Sequence, residues 1–160
     1  MVLRDGAAAG AIGFATIALI FVVTDALAGR PLLYTPALLG GALFHGVTTP
    51  SEVTISPAPV IGYSVAHLVA FLIIGVVAAG LASVASRHRH VWYLGVNLFL
   101  LVITHVSGVV MTLTESLQGV VSAWLVAAST AAAAIAMALY LLWVNPPIWR
   151  ELREREYRDS

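Results

Sequence analysis

At 160 residues the chain is long enough for one domain and short for two. Hydrophobic residues make up 60% and charged residues 10%, whereas a soluble domain carries about a quarter charged residues, so a wholly water-facing surface is excluded and lipid is the expected solvent. A net charge of +0 with no basic patch outside the C-terminal tail argues against nucleic acid as a partner, and the absence of Cys removes disulfides, thiolate metal ligands, iron–sulfur clusters and cysteine catalysis.

The first apolar stretch, Gly6 to Leu27, is long enough to span a bilayer, which takes about 20 helical residues. Ala26-Leu27-Ala28 before Gly29 has the small-x-small form of a signal-peptide cleavage site. Asp5 neutralises Arg4, however, and the stretch is longer than a signal h-region, so a retained helix is expected. The following loop, Gly29 to Pro57, contains a second apolar piece, Ala37 to Phe44, that is too short to span. Thr35-Pro36 reads as its N-cap and first helical residue and Gly46 as its stop. This piece is expected either to lie on the outer interface or to dip back into the bundle. Thr48 to Pro59, with Pro50, Pro57 and Pro59, reads as extended loop.

Three further spans are expected at about 58–83, 91–114 and 117–144. The predicted fold class is therefore all-α, an integral membrane four-helix bundle with a short outer interfacial or re-entrant helix. Residues 1–147 form the transmembrane domain and 148–160 a charged cytoplasmic tail, in which Glu151 with Arg155 and Glu154 with Arg158 are four apart and support a surface helix.

All basic residues are Arg. Arg4, Arg87, Arg89, Arg150, Arg153, Arg155 and Arg158 fall on one side of this topology and only Arg30 on the other, so both termini and the Arg87–His90 loop are expected in the cytoplasm. Trp92, Tyr93, Tyr140, Trp143 and Trp149 would form an inner aromatic belt, Tyr34 and Tyr63 an outer one. Small residues recur at helical spacing, as in Gly6 and Gly10, Ala9 and Gly13, Gly75 and Ala79, and the run Ala131 to Ala134. Such faces let helices approach closely in lipid, within the chain or against a second copy or partner subunits of a membrane complex.

His67 and His105 carry the main chemical expectation. Each lies about nine residues from the outer end of its predicted helix, roughly 14 Å below that end at 1.5 Å per residue. The two helices run antiparallel, so both imidazoles reach the same depth in the outer half of the bilayer. That arrangement suits bis-histidine ligation of a b-type haem or two ligands of a transition metal ion, with Ala70 and Gly108 leaving room for a flat ring and Ser64 and Thr112 as hydrogen-bond partners. The competing reading is that each imidazole bonds a group on a neighbouring helix. His45 and Asp25 complete the candidate metal set, with Glu115 close by if the short segment folds inward. The alternative for Asp25 is an ion pair with Arg30. His88 and His90 alternate with Arg87 and Arg89, whose charge opposes cation binding, so this loop reads as a topology signal. Asn97 reads as an interhelical hydrogen-bond former.

No phosphate loop, dinucleotide fingerprint, nucleophile elbow or His-Glu-x-x-His motif is present, and no catalytic residue is assigned. Two function classes result: a haem- or metal-binding electron-transfer protein, alone or as a subunit of a larger complex, and a cofactor-free accessory subunit. An oligomeric channel or transporter is a third.

Arg4-Asp5-Gly6, then Asp25, then Gly29-Arg30-Pro31 and Thr35-Pro36-Ala37-Leu38-Leu39-Gly40 resemble the corresponding stretch of an uncharacterised group of small bacterial four-pass membrane proteins. The resemblance covers the first quarter to third of the chain. It implies a bacterial inner membrane and no activity.

Overall fold

The computed structural model describes residues 2–85, 100 and 122–144. Their regular structure is helical throughout: α1 (Val2–Leu27), α2 (Tyr34–His45), α3 (Pro57–Ala85), α4 (Ala123–Val144) and a 3-10 turn at Pro50–Glu52. Three of these helices, α1, α3 and α4, are long and apolar enough to cross a membrane, and they fall on the first, second and fourth expected spans. The third span, with His105 and Asn97, lies outside the described residues except for Leu100, which is helical. Also outside are the Arg87–His90 loop, Glu115 and the charged tail.

Two boundaries differ from expectation. The first helix begins at Val2 and not at Gly6, because Arg4 and Asp5 belong to its first turn, with Arg4 Nε 3.3 Å from Asp5 Oδ1. An acidic residue is favourable at that end of the helix dipole. Pro57 and Pro59 belong to the first turn of α3 and not to a loop. Backbone N–H groups there have no intrahelical partner, so proline loses nothing at these positions.

The buried residues of α1 are Gly6, Ala9, Gly10, Gly13, Ile17, Phe21 and Asp25, a single face at three- and four-residue spacing. Its first half is made of small residues because α3 lies directly on it. A methyl group on Gly6 would stand 2.5 Å from Cα of Val76, and one on Gly13 would stand 2.6 Å from both Sδ of Met137 and the Phe71 ring. A methyl on Gly10 would collide with the Phe71 carbonyl oxygen. The Gly6, Gly10 and Gly75 surfaces are therefore spent within the chain. Further along, Ile17 and Phe21 form a core with Leu39 of α2 and Ala133 of α4. Ala9, Ala78, Ala79, Met137 and Leu141 form a second core.

The α2 helix is packed into the end of the bundle. Thr35, Ala37, Leu38, Leu39, Gly40 and Gly41 are buried, and a methyl on Gly40 would meet the carbonyl of Pro59. Gly46, at φ +66°, ends the helix in the left-handed conformation that favours glycine. The segment packs against α1, α3 and α4, with Leu39 in the core of Ile17, Phe21 and Ala133, while Leu43 and Phe44 at its end are exposed.

In the loop that follows, the Glu52 carboxylate accepts hydrogen bonds from the N–H groups of Thr48 (3.1 Å) and Thr49 (3.4 Å). The Thr48 bond foremost, then that of Thr49, holds this carboxyl below its ordinary range. A depressed carboxylate contributes fully above its unfolded value and loses the contribution as pH falls through the folded value. Amide exchange at Thr48 and Thr49 is therefore expected to be protected at neutral pH and to accelerate, relative to intrinsic rates, only below the usual carboxylate range. Protection unchanged across that range would contradict the contact.

Candidate functional site

The imidazole of His67 sits ten residues into α3, about 15 Å from its start, inside an aromatic shell. The Phe71 ring is 4.9 Å away on the next turn of α3, the Tyr63 ring 5.1 Å away on the preceding turn and stacked at 21°, and the Phe14 ring of α1 5.9 Å away. Positions four apart on a helix share a face, which is why Tyr63 and Phe71 flank the histidine. Nδ1 of His67 lies 3.4 Å from the Tyr63 hydroxyl. Nε2 is buried and has no hydrogen-bond partner among the described residues. A buried imidazole nitrogen left unpaired costs about 1–3 kcal/mol, and the third span lies outside the described residues.

This shell differs from the expected one. Ala70, expected to leave space for a ring, is exposed, and Phe71 takes the turn next to the imidazole. Tyr63, and not Ser64, supplies the hydroxyl. The Tyr63 hydroxyl reaches one turn along α3 to His67, and its ring packs on the core of Ile17, Phe21 and Leu39.

Asp25 is fully buried because it continues the buried face of α1 one turn beyond Phe21. Its carboxylate is fully engaged. Oδ2 accepts the Thr35 N–H at 2.8 Å, Oδ1 accepts the Thr35 hydroxyl at 2.7 Å, and Oδ1 pairs with Nη2 of Arg30 at 3.0 Å. The residue before α2 is Leu33, which has no capping side chain. Asp25 therefore does from a distance what an N-cap residue does locally, meeting an orphan N–H and the positive end of the α2 dipole. Thr35, expected as the cap, instead lies inside the first turn. The chain arrives there through a tight helix end: Gly29 has φ +68°, its N–H bonds the Ala26 carbonyl at 3.0 Å, and the Arg30 N–H bonds the Asp25 carbonyl at 2.8 Å. The Arg30 guanidinium lies 5.2 Å from the Tyr34 ring centre, close enough for a cation–π contact. The Asp25–Arg30 pair is thus the ion pair weighed above as the alternative to a metal ligand.

His45 is the last residue of α2 and is exposed. Among the described residues no three His, Asp or Glu side chains are grouped to hold a metal ion. His105 lies outside the described residues, so its approach to His67 is not seen.

Comparison of the chain with protein-family models, with curated proteins and with solved structures finds no match.

Proposed function

We propose that the chain is a four-span protein of a bacterial inner membrane, with both termini cytoplasmic, that binds a b-type haem or a transition metal ion through His67 and His105 and serves electron transfer alone or within a larger membrane complex. The membrane part draws support from α4. Trp124 is 81% exposed at one end and Trp143 74% exposed near the other, with apolar exposed residues such as Ile135 and Leu139 between. Nineteen residues of helix separate the two indoles by about 28 Å, close to the thickness of a hydrocarbon core of about 30 Å. Exposed tryptophans at that separation suit the two interfaces.

The observation that carries the site is the buried, unpaired Nε2 of His67 within its aromatic shell. A ligating imidazole presents one nitrogen to the metal and hydrogen-bonds through the other, and His67 has a hydroxyl on Nδ1 and, among the described residues, no partner on Nε2. His105 would supply the second ligand from the third span. The bound group would supply one-electron chemistry in an environment dry enough for its potential to be set by these neighbours. Asp25 and His45 complete the wider metal set only if their present arrangement changes, because the Asp25 oxygens are already engaged.

Haem added to the detergent-purified protein is expected to bind stoichiometrically, and His67→Ala or His105→Ala to abolish binding while the protein still folds. Uptake by the alanine variants equal to that of the unaltered protein would overturn the assignment. A cofactor-free accessory subunit is the competing reading. It is favoured by the exposed small residues Ala127, Ala128, Ala131 and Ala138 on α4, which suit close contact with a partner helix. Under it, His67→Ala changes assembly only mildly.

A further inference from the structure

We infer that Tyr63 is the positioning residue of His67, whose hydroxyl sets which imidazole nitrogen carries the proton and whose ring fixes the orientation of the imidazole. The inference rests on the ligand reading above, but it concerns a property of the protein alone. Three contacts carry it. The Tyr63 ring stacks on the imidazole at 5.1 Å and 21°. Its hydroxyl is the partner of Nδ1 at 3.4 Å. The ring is also held in the core of Ile17, Phe21 and Leu39, so it does not follow the imidazole but restrains it.

An imidazole that offers the Nε2 lone pair to a ligand carries its proton on Nδ1. A buried N–H needs an acceptor, and among the described residues the Tyr63 hydroxyl is the one in reach. Without a ligand the same rule keeps the ring proton on Nδ1, because an N–H at Nε2 has no acceptor among the described residues. With a ligand the hydroxyl accepts from Nδ1–H. Phe14 and Phe71 offer no polar atom, so among the described residues the choice of tautomer rests on Tyr63.

The test is the pair Tyr63→Phe, which keeps the ring and removes the hydroxyl, and Tyr63→Leu, which removes both. The full chain is labelled with ring-¹⁵N histidine, and the His67 signals are identified by their loss in His67→Ala. In Tyr63→Phe the His67 nitrogen shifts are expected to move toward a mixture of tautomers, with the protein still folded. In haem titrations the same variant is expected to bind about 10- to 100-fold more weakly, the usual effect of losing such a partner, and Tyr63→Leu more weakly still. Unchanged nitrogen shifts in folded Tyr63→Phe would overturn the inference. If the unaltered protein takes up no haem or metal while the shifts still respond to Tyr63→Phe, the ligand reading fails and the role of Tyr63 stands.

Discussion

Gly75→Ala is expected to destabilise the protein by about 3 kcal/mol, the upper part of the usual range for overpacking a close-packed contact. The added methyl would land on the Gly6 carbonyl oxygen, 2.5 Å from the Gly10 nitrogen and 2.8 Å from its Cα. All three obstacles are backbone atoms of a helix, which cannot turn aside as a side chain would. The α1–α3 crossing would have to open along its length, drawing Phe71 off Gly13 and loosening the aromatic shell of His67. Gly80→Ala supplies the control. It lies on the same helix with nothing among the described residues within 4 Å of an added methyl, and it should be neutral or stabilising by up to about 1 kcal/mol through helix propensity alone. Unfolding in mixed detergent micelles reads both. Equal stability of the two variants would show that α1 and α3 do not meet at these glycines.

Asp25→Ala is expected to cost a similar amount, about 3 kcal/mol, for a different reason. Removing one partner of a buried ion pair leaves the other uncompensated at about 3–5 kcal/mol. The lower end applies because the Arg30 side chain is 26% exposed and can turn toward water. Thr35→Val removes only the hydroxyl contact and keeps the N–H bond to Oδ2, so it should cost about 1 kcal/mol. The ordering is the informative part, since Asp25 secures the end of α1, the Arg30 turn and the start of α2 together. An Asp25→Ala protein as stable as Thr35→Val would mean that the carboxylate is not the anchor of α2.

Much of this architecture was legible because apolar length reports spanning helices without needing tertiary information. The positions of α1, α3 and α4 followed from it, and Gly46 was readable as a helix stop. Local chemistry was harder. Asp25 was recognisable as unusual, and its pairing with Arg30 was one of two open readings, but its capping of α2 ten residues on depends on how the turn at Gly29 folds back. That turn had a signal, a glycine after the last helical residues, which competed with the cleavage-site pattern ending at Ala28. Pro57 and Pro59 mislead because proline breaks a helix interior yet is tolerated in a first turn. Tyr63 stands four residues before His67 and Ser64 three, and both spacings share a helix face, so spacing alone does not choose between them. The contribution of Phe14 was not legible either, because it depends on how α1 and α3 are rotated about their axes, and hydropathy that is apolar nearly all round does not specify rotation.

Electron transfer by this chain requires that His67 hold a redox-active ligand. An oxidised-minus-reduced absorbance spectrum of the detergent-purified protein, with metal analysis of the same sample, tests this most directly. The expected result is a b-type haem signature or a stoichiometric metal, lost in His67→Ala and in His105→Ala. A protein purified under conditions that retain cofactors, yet showing neither chromophore nor stoichiometric metal, would contradict it.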